Sequence, residues 1–145
     1  MNLTLQQIFS HVALHLHKQG AQALNAQKEC AYRDEQGRSC AVGCLIPDKY
    51  YTPAIEGPTV RAARPDNPFT QALVSDGLVG EEKLLALRDA LLKSGVDLSD
   101  RATADLLQDL QKLHDDDIYA DCRGTWRAGL VKIAHKFQLQ MPAES

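Results

Sequence analysis

Apolar residues recur at intervals of three and four near the start of the chain, the spacing of one face of an α-helix. This stripe consists of Leu5, Ile8, Phe9, Val12 and Leu16. Thr4 and Gln7 have the spacing of a capping box, in which each side chain binds the backbone amide of the other residue. Gly20 is typical of the residue that ends a helix. The pattern therefore predicts a helix over residues 4–19.

The segment after this helix predicts a β-hairpin. Its turn would be Asp34-Glu35-Gln36-Gly37, which has Asp first and Gly last, as type I turns prefer. Gly37 accepts the left-handed conformation that closes such a hairpin. Residues 30–33 and 38–41 would be its strands. Because two strands alone are only marginally stable, we expect the hairpin to pack on helices or to find a third strand.

A proline-rich segment follows the predicted hairpin. Residues 47–68 hold five of the six prolines, and a connection of this length is usually a functional or disordered loop. Tyr50, Tyr51 and Ile55 lie on it. Because aromatic and large apolar side chains often anchor protein contacts, these three residues are candidate partner-binding residues.

The remaining chain predicts helices. Asn67 and Pro68 fit a cap followed by a first-turn proline, and Ser99 fits another cap. These signals and the apolar spacing predict helices from Pro68 to Ser75, over residues 81–94, from Ser99 to about His114, and over about 123–138.

Together these elements predict an α+β fold that is mainly α: an N-terminal helix, a β-hairpin, a proline-rich loop, and three or four packed helices. The length fits a single domain over residues 1–145, with residues 140–145 as a frayed tail. The predicted core consists of Phe9, Val12, Leu16, Leu45, Leu106, Leu110, Trp126, Leu130 and Phe137.

Composition and charge exclude several classes of protein. A hydrophobic fraction of 44% is that of a globular chain. The formal net charge of −3, without a basic stripe on any predicted helix, argues against direct nucleic-acid binding. The sequence contains no apolar run long enough to cross a membrane and no segment that resembles a secretory signal. We therefore expect a cytoplasmic protein without a membrane contact.

The acidic residues are concentrated in one part of the chain. Residues 81–120 carry ten acidic and five basic side chains. Such a cluster is either a solvated helix face or a surface that meets a basic protein partner. The Asp115–Asp117 run lacks the glycine and the distal glutamate of a calcium-binding loop. The candidate partner-binding carboxylates are Asp105, Asp109, Asp115, Asp116 and Asp117.

Arg88 interrupts the leucine-rich stripe of residues 84–92, because it falls between Leu84 and Leu85 on a helical wheel. Three interpretations remain open: its stem extends outward at a seam between helices, it pairs with a buried carboxylate, or this helix contacts a partner. The same stripe offers a contact for self-association, so a homo-oligomer is a further alternative.

The chain has four cysteines, which are candidates for a nucleophile or for zinc ligands. Without an export signal they are expected to be free thiols, and buried thiols behave as small apolar groups. A helix that begins near Cys40 would lower the pKa of that thiol and favour a nucleophile. Cys30, Cys40 and Cys44 with a histidine would instead supply zinc ligands, although the second close pair of ligands typical of structural zinc sites is missing. We assign no catalytic residue, metal or other cofactor.

His11 and His15 are four residues apart on the first predicted helix, which places both imidazoles on one side of it. This spacing suits a metal site. It equally suits two histidines at the rim of the apolar stripe, and the glutamate of the zinc metalloprotease motif is missing between them. We interpret both as rim residues.

Several segments resemble a group of small uncharacterised proteins from bacteria and their phages. They are Cys30-Ala-Tyr-Arg, the turn, Cys40-Ala-Val-Gly-Cys-Leu-Ile-Pro-Asp, Tyr51, Glu56-Gly57, the run from Leu110 to Asp115, and a Trp-led final helix. The resemblance covers most of the chain. It implies a cytoplasmic protein carried by a mobile element, and it supplies no activity.

These observations favour a small, non-enzymatic, cytoplasmic protein-binding module. It would be a phage or mobile-element accessory that binds and modulates a host or defence protein through its acidic helix and its tyrosine-bearing loop. The alternative is a cysteine-based enzyme or zinc-binding protein centred on Cys40 and Cys44.

Overall fold

The structure is a computed structural model that describes residues 2–24, 31–116 and 123–142. Within these residues the chain forms six α-helices and three short 3₁₀ turns. The helices are α1 (Leu5–Gln19), α2 (Val60–Ala63), α3 (Thr70–Ser75), α4 (Glu81–Lys93), α5 (Arg101–Asp116) and α6 (Arg123–Phe137). The 3₁₀ turns cover Gly43–Leu45, Asp48–Tyr50 and Pro53–Ile55.

The predicted α+β class is wrong for the described part of the chain, because that part contains no β-strand. The turn itself forms: the Gly37 amide donates to the Asp34 carbonyl, and Gly37 has a φ of 79°. Beyond the turn, an isolated antiparallel bridge joins Arg33 to Ser39. The architecture there is all-α.

The strands fail because side chains occupy the backbone groups that a ladder would need. The Glu56 carboxylate accepts hydrogen bonds from the amides of Tyr32 and Arg33, at 2.9 and 3.0 Å. The Gln19 side chain accepts from the Ser39 amide at 3.0 Å. Across the turn, the Asp34 and Cys40 amides bind the carbonyls of Arg38 and Tyr32, but the Arg38 and Tyr32 amides, which a longer ladder would need in return, bind the side chains of Asp34 and Glu56. The two sides of the turn therefore do not extend into strands.

The prediction for α1 is confirmed down to its caps. Thr4 Oγ1 accepts from the Gln7 amide at 3.1 Å, and Gln7 Oε1 accepts from the Thr4 amide at 2.8 Å. Gly20 ends the helix in the left-handed conformation, with a φ of 69°. The apolar face of α1 packs against α5 and α6, and these three helices surround the main core.

The core prediction is largely confirmed. Of the nine residues, eight are buried, and Phe137 is half-buried against the same cluster. The proline-rich segment also contributes, because Ile55 and Val60 are fully buried and the Pro53–Ile55 turn packs on α4. Part of the proline-rich segment therefore belongs to the core and does not form a loop that stands apart from the fold.

Other boundaries differ in detail. Asp100 rather than Ser99 caps α5, since its carboxylate accepts from the Thr103 amide at 3.1 Å. Residue 140 of the expected frayed tail is held in place, because the Gln6 side chain binds both the amide and the carbonyl of Gln140 at 2.9 Å; residues 143–145 lie outside the described part. Among the described residues, no helix is both long and apolar enough to span a membrane.

Candidate functional site

Three open cavities meet at Arg61, between α2 and α5 and the start of α3. Their volumes are about 200, 300 and 300 Å³. We name this surface the α2–α5 groove and define it by Thr59, Arg61, Phe69, Gln108, Gln111 and Asp115. Sequence reasoning did not identify it, because its two walls are about fifty residues apart in the chain and no motif marks either one.

Local packing leaves Arg61 as the outward residue of α2. Thr59 caps this short helix by accepting from the Ala62 amide at 3.1 Å. Val60, Ala62 and Ala63 are buried, so the remaining position of the helix faces solvent and carries Arg61. The Arg88 side chain of α4 donates to the carbonyl of Ala63 at the C-terminal end of α2. This contact assigns Arg88 to a seam between helices, the first of its three interpretations.

Arg64 fastens α2 to α5 at one end of the groove. Its guanidinium binds both oxygens of Asp66 at 2.9 Å, Asp105 at 2.6 Å, and the carbonyl oxygen of the Gln108 side chain at 3.0 Å. The hydrogen bonds from Arg64 lower the pKa of Asp66 below its usual value. The end of α2 is therefore held by charge-assisted bonds from two directions.

The candidate acidic residues of α5 already have partners within the chain. Asp105 binds Arg64, and Asp109 accepts from Lys136 of α6 at 2.7 Å. Asp115 Oδ1 accepts from His114 and from the side chain of Gln111, both at 2.8 Å. Of the other two, the Asp116 side chain and Asp117 lie outside the described residues.

Several lining groups of the groove can donate hydrogen bonds to a ligand. Thr59 Oγ1 and Gln108 Oε1 each accept a bond, which leaves the Thr59 hydroxyl hydrogen and the Gln108 amide group. The Arg61 guanidinium has no hydrogen bond or ion pair to any described residue. Phe69 lies at the rim with 65% of its surface exposed. The groove thus combines donors with an aromatic ring.

The tyrosine-bearing segment has a structural role. The Tyr51 hydroxyl donates to Glu56 at 2.7 Å, and the Arg33 guanidinium lies 4.6 Å from the centre of the Tyr51 ring. Burial and the hydrogen bond to Glu56 raise the pKa of Tyr51 to about 12. Tyr50 is half-buried beside Lys49. Ile55 is fully buried in the core and thus contributes nothing to a contact surface.

The two described cysteines do not fit a nucleophile. Cys40 is fully buried, and burial raises the pKa of its thiol to about 12, although the Gly43 amide donates to its sulfur at 3.2 Å. Cys44 donates to the Ala41 carbonyl at 3.1 Å, and burial likewise raises its pKa. Backbone N–H groups of Val42 and Gly43 lower the pKa of the Cys40 thiol, but desolvation outweighs them, and the segment that follows is a three-residue 3₁₀ turn and not the expected helix.

Metal binding finds no support in the described part, where no group of three or more His, Cys, Asp or Glu side chains is arranged to hold an ion. Cys30, the third thiol of the zinc alternative, lies outside the described residues. Each imidazole of the histidine pair on α1 instead meets a backbone carbonyl. His11 Nε2 donates to Cys44 and His15 Nε2 donates to Ser39, both at 2.9 Å. The pair fastens the 39–44 segment to α1.

Comparisons of the chain with protein-family models, with curated proteins and with solved structures find no match. The resemblance to small bacterial and phage proteins stays a prediction. The α2–α5 groove and the surface around it are therefore the candidate functional site.

Proposed function

We propose that this chain is a non-enzymatic protein-binding module that holds a segment of its partner in the α2–α5 groove. The observation that carries the proposal is the exposed ring of Phe69 beside the Arg61 guanidinium, which has no hydrogen bond or ion pair to any residue of the described ranges. Aromatic residues and arginine are the side chains that most often dominate the binding energy of protein contacts. Their position at an open groove favours binding over a purely structural role.

Exposed apolar side chains in the α3–α4 region are a separate observation that supports protein binding. Besides Phe69, three leucines of the α3–α4 region are at least half exposed. They are Leu78, Leu85 and Leu92, with exposed fractions of 72%, 51% and 53%. Solvated leucines are common singly, but several within one short stretch of chain favour a surface that a partner covers.

The proposed contact differs from the one expected from the sequence. A basic partner on α5 would compete with Arg64 for Asp105 and with Lys136 for Asp109, which weakens the net attraction. Tyr51 would have to leave Glu56. We therefore keep the acidic helix with Tyr50 as a second and weaker candidate surface.

We also propose a cytoplasmic location, which the free thiols of Cys40 and Cys44 support. An accessory role for a phage or mobile element, with a host or defence protein as partner, rests on the sequence resemblance. A cysteine-based enzyme is the less favoured alternative because burial keeps the Cys40 thiol protonated at neutral pH.

The test is affinity capture of the full chain from bacterial lysates, with quantification of each captured protein. We expect at least one protein whose capture falls strongly with Phe69→Ser and is unchanged with Val131→Ser, an exposed apolar residue of α6 that serves as the matched control. Circular dichroism verifies that both variants fold. Capture profiles that are identical for the wild type and Phe69→Ser would refute the proposal.

A further inference from the structure

We propose that the occupant of the α2–α5 groove is an acidic peptide segment. One carboxylate of this segment binds the Arg61 guanidinium, and a neighbouring apolar side chain packs on Phe69. The inference rests on the proposed function and adds the chemistry of the partner.

The available polar groups select for a ligand that is rich in acceptors. Arg61, the Gln108 amide group and the Thr59 hydroxyl can all donate. On the same lining, Thr59 Oγ1, Gln108 Oε1 and Asp115 Oδ1 each already accept at least one bond from within the chain. A carboxylate accepts two parallel N–H bonds from a guanidinium, which is the strongest common pairing of this kind. Carbonyl groups of a peptide backbone would satisfy the other two donors.

The charges around the groove favour a single carboxylate over a polyanion. Asp66 lines the cavity on one side of Arg61, and Asp115 lines the cavity on the other side. A nucleic-acid strand would bring successive phosphates against both carboxylates, and the net charge of −3 adds no general attraction. A single acidic side chain that points at Arg61 can bind the guanidinium without approaching either Asp66 or Asp115.

The apolar part of the groove has room for one large side chain. Phe69 and Leu73 line a cavity of about 300 Å³ next to Arg61. Because Arg61 lines the same cavity, the acidic residue and the apolar residue must be close together in the peptide. The preferred segment is therefore Asp or Glu near an aromatic or large aliphatic residue.

The binding groups are also held in place before the partner arrives. The Asn67 side chain donates to the Arg61 carbonyl at 2.8 Å and accepts from the Phe69 amide at 2.9 Å. A single side chain thus fixes the backbone of both contact residues. A preorganised backbone reduces the entropy lost on binding.

The test is selection of random 12-residue peptides displayed on phage against the immobilised full chain. Selected peptides are then synthesised and titrated against the wild type, Arg61→Gln, Phe69→Ser and Arg127→Gln, an exposed arginine of α6 outside the groove. We expect enrichment of Asp or Glu near an apolar residue. Binding should weaken about tenfold or more with Arg61→Gln and remain unchanged with Arg127→Gln.

A double-mutant cycle identifies the carboxylate directly. Replacement of the peptide Asp by Asn should weaken binding to the wild type about as much as Arg61→Gln does, and it should have little further effect on that variant. Thermal unfolding of each variant verifies that the fold is intact, as expected for an exposed side chain.

The outcomes separate this inference from the proposed function. Peptides that depend on Phe69 but lack acidic residues and bind Arg61→Gln normally would overturn the inference alone. If no selected peptide depends on Phe69 or Arg61, both proposals fail. Arg61-dependent binding of a single-stranded oligonucleotide, with no acidic peptide selected, would assign the groove to phosphate and overturn the acidic peptide.

Discussion

Gly43 packs directly against the backbone carbonyl of Tyr32, so closely that a Cβ at position 43 would overlap the carbonyl oxygen. The contact brings the Gly43–Leu45 turn onto the segment that leads into the Asp34–Gly37 turn. The same carbonyl accepts from the Cys40 amide at 3.4 Å. Glycine at this position is therefore a requirement of packing between two irregular segments.

Gly43→Ala should destabilise the protein by about 2–4 kcal/mol, because the overlap is with backbone atoms that a rotamer change cannot relieve. Urea unfolding followed by circular dichroism measures the loss. Gly80→Ala is the matched control: the nearest atom to its Cβ would be the flexible side chain of Lys83 at 3.9 Å, so a change below about 1 kcal/mol is expected. Equal losses in both variants would contradict the packing argument.

The Glu56 carboxylate is expected to contribute about as much to the stability of the fold as the absence of a side chain at Gly43. It accepts from the amides of Tyr32 and Arg33 and from the Tyr51 hydroxyl. Glu56→Ala would leave all three donors without a partner, at an expected cost of about 2–4 kcal/mol. Glu82→Ala, which removes an exposed carboxylate at the start of α4, should change the free energy of unfolding by less than about 0.5 kcal/mol. A small effect at Glu56 would show that water replaces its bonds.

These two residues illustrate what local sequence signals miss. The caps and the apolar stripe of α1 involve residues at most a few positions apart, and the sequence predicted that helix correctly. The hairpin prediction failed because its amides bind Glu56, 24 positions away along the chain from Tyr32, and Gln19, 20 positions away from Ser39. Strand propensity contains no information on such distant acceptors.

In the candidate site, too, the sequence predicts features of neighbouring residues but not contacts between distant ones. The acidity of α5 is visible in the sequence, whereas the pairing of Asp105 with Arg64 spans 41 positions and becomes visible only in the fold. The sequence correctly predicts that His11 and His15 lie on one side of α1, but it does not reveal that His11 binds the carbonyl of Cys44, 33 positions away. The sequence around Arg61 does contain a signal for its exposure: Val60, Ala62 and Ala63 are all apolar, which leaves Arg61 as the residue of this short helix that faces solvent.

His114 should be essential to the core even though it is polar. It is fully buried, its Nε2 accepts from the Ala23 amide at 3.1 Å, and its ring stacks on Trp126 with a centroid distance of 5.6 Å. His114→Ala would create a cavity and leave the amide unpaired, so we expect a loss of about 3–5 kcal/mol. Trp126 is the one tryptophan of the chain, so its fluorescence reports unfolding at this position.

The control for His114 is His135→Ala on the exposed face of α6, which should leave the unfolding midpoint within experimental error. A native tryptophan spectrum and an unchanged midpoint for His114→Ala would show that the stacked ring and its hydrogen bond contribute little.

The Cys40 thiol should make the fold sensitive to alkaline pH. Its pKa is raised by burial from an ordinary value of 9.0 to about 12. A raised pKa means that the folded state retains the proton more tightly, so this contribution to stability is complete below about pH 9 and is lost as the pH rises toward 12. Burial also raises the pKa of Tyr32, so this hydroxyl adds to the loss of stability at alkaline pH.

We therefore expect the free energy of unfolding to fall above pH 9, and to fall less steeply in Cys40→Ala, when it is measured by urea unfolding at a series of pH values. In the folded protein at pH 7.5, iodoacetamide should modify Cys40 far more slowly than in urea, as peptide mapping by mass spectrometry can measure for this residue separately. Gln36→Cys, at an exposed position of the preceding turn, supplies a reactive reference thiol four residues before the buried one. Rapid modification of Cys40 in the folded state would instead support the cysteine-based alternative, because a thiol sealed in the core and held protonated cannot react at the rate of a solvated thiolate.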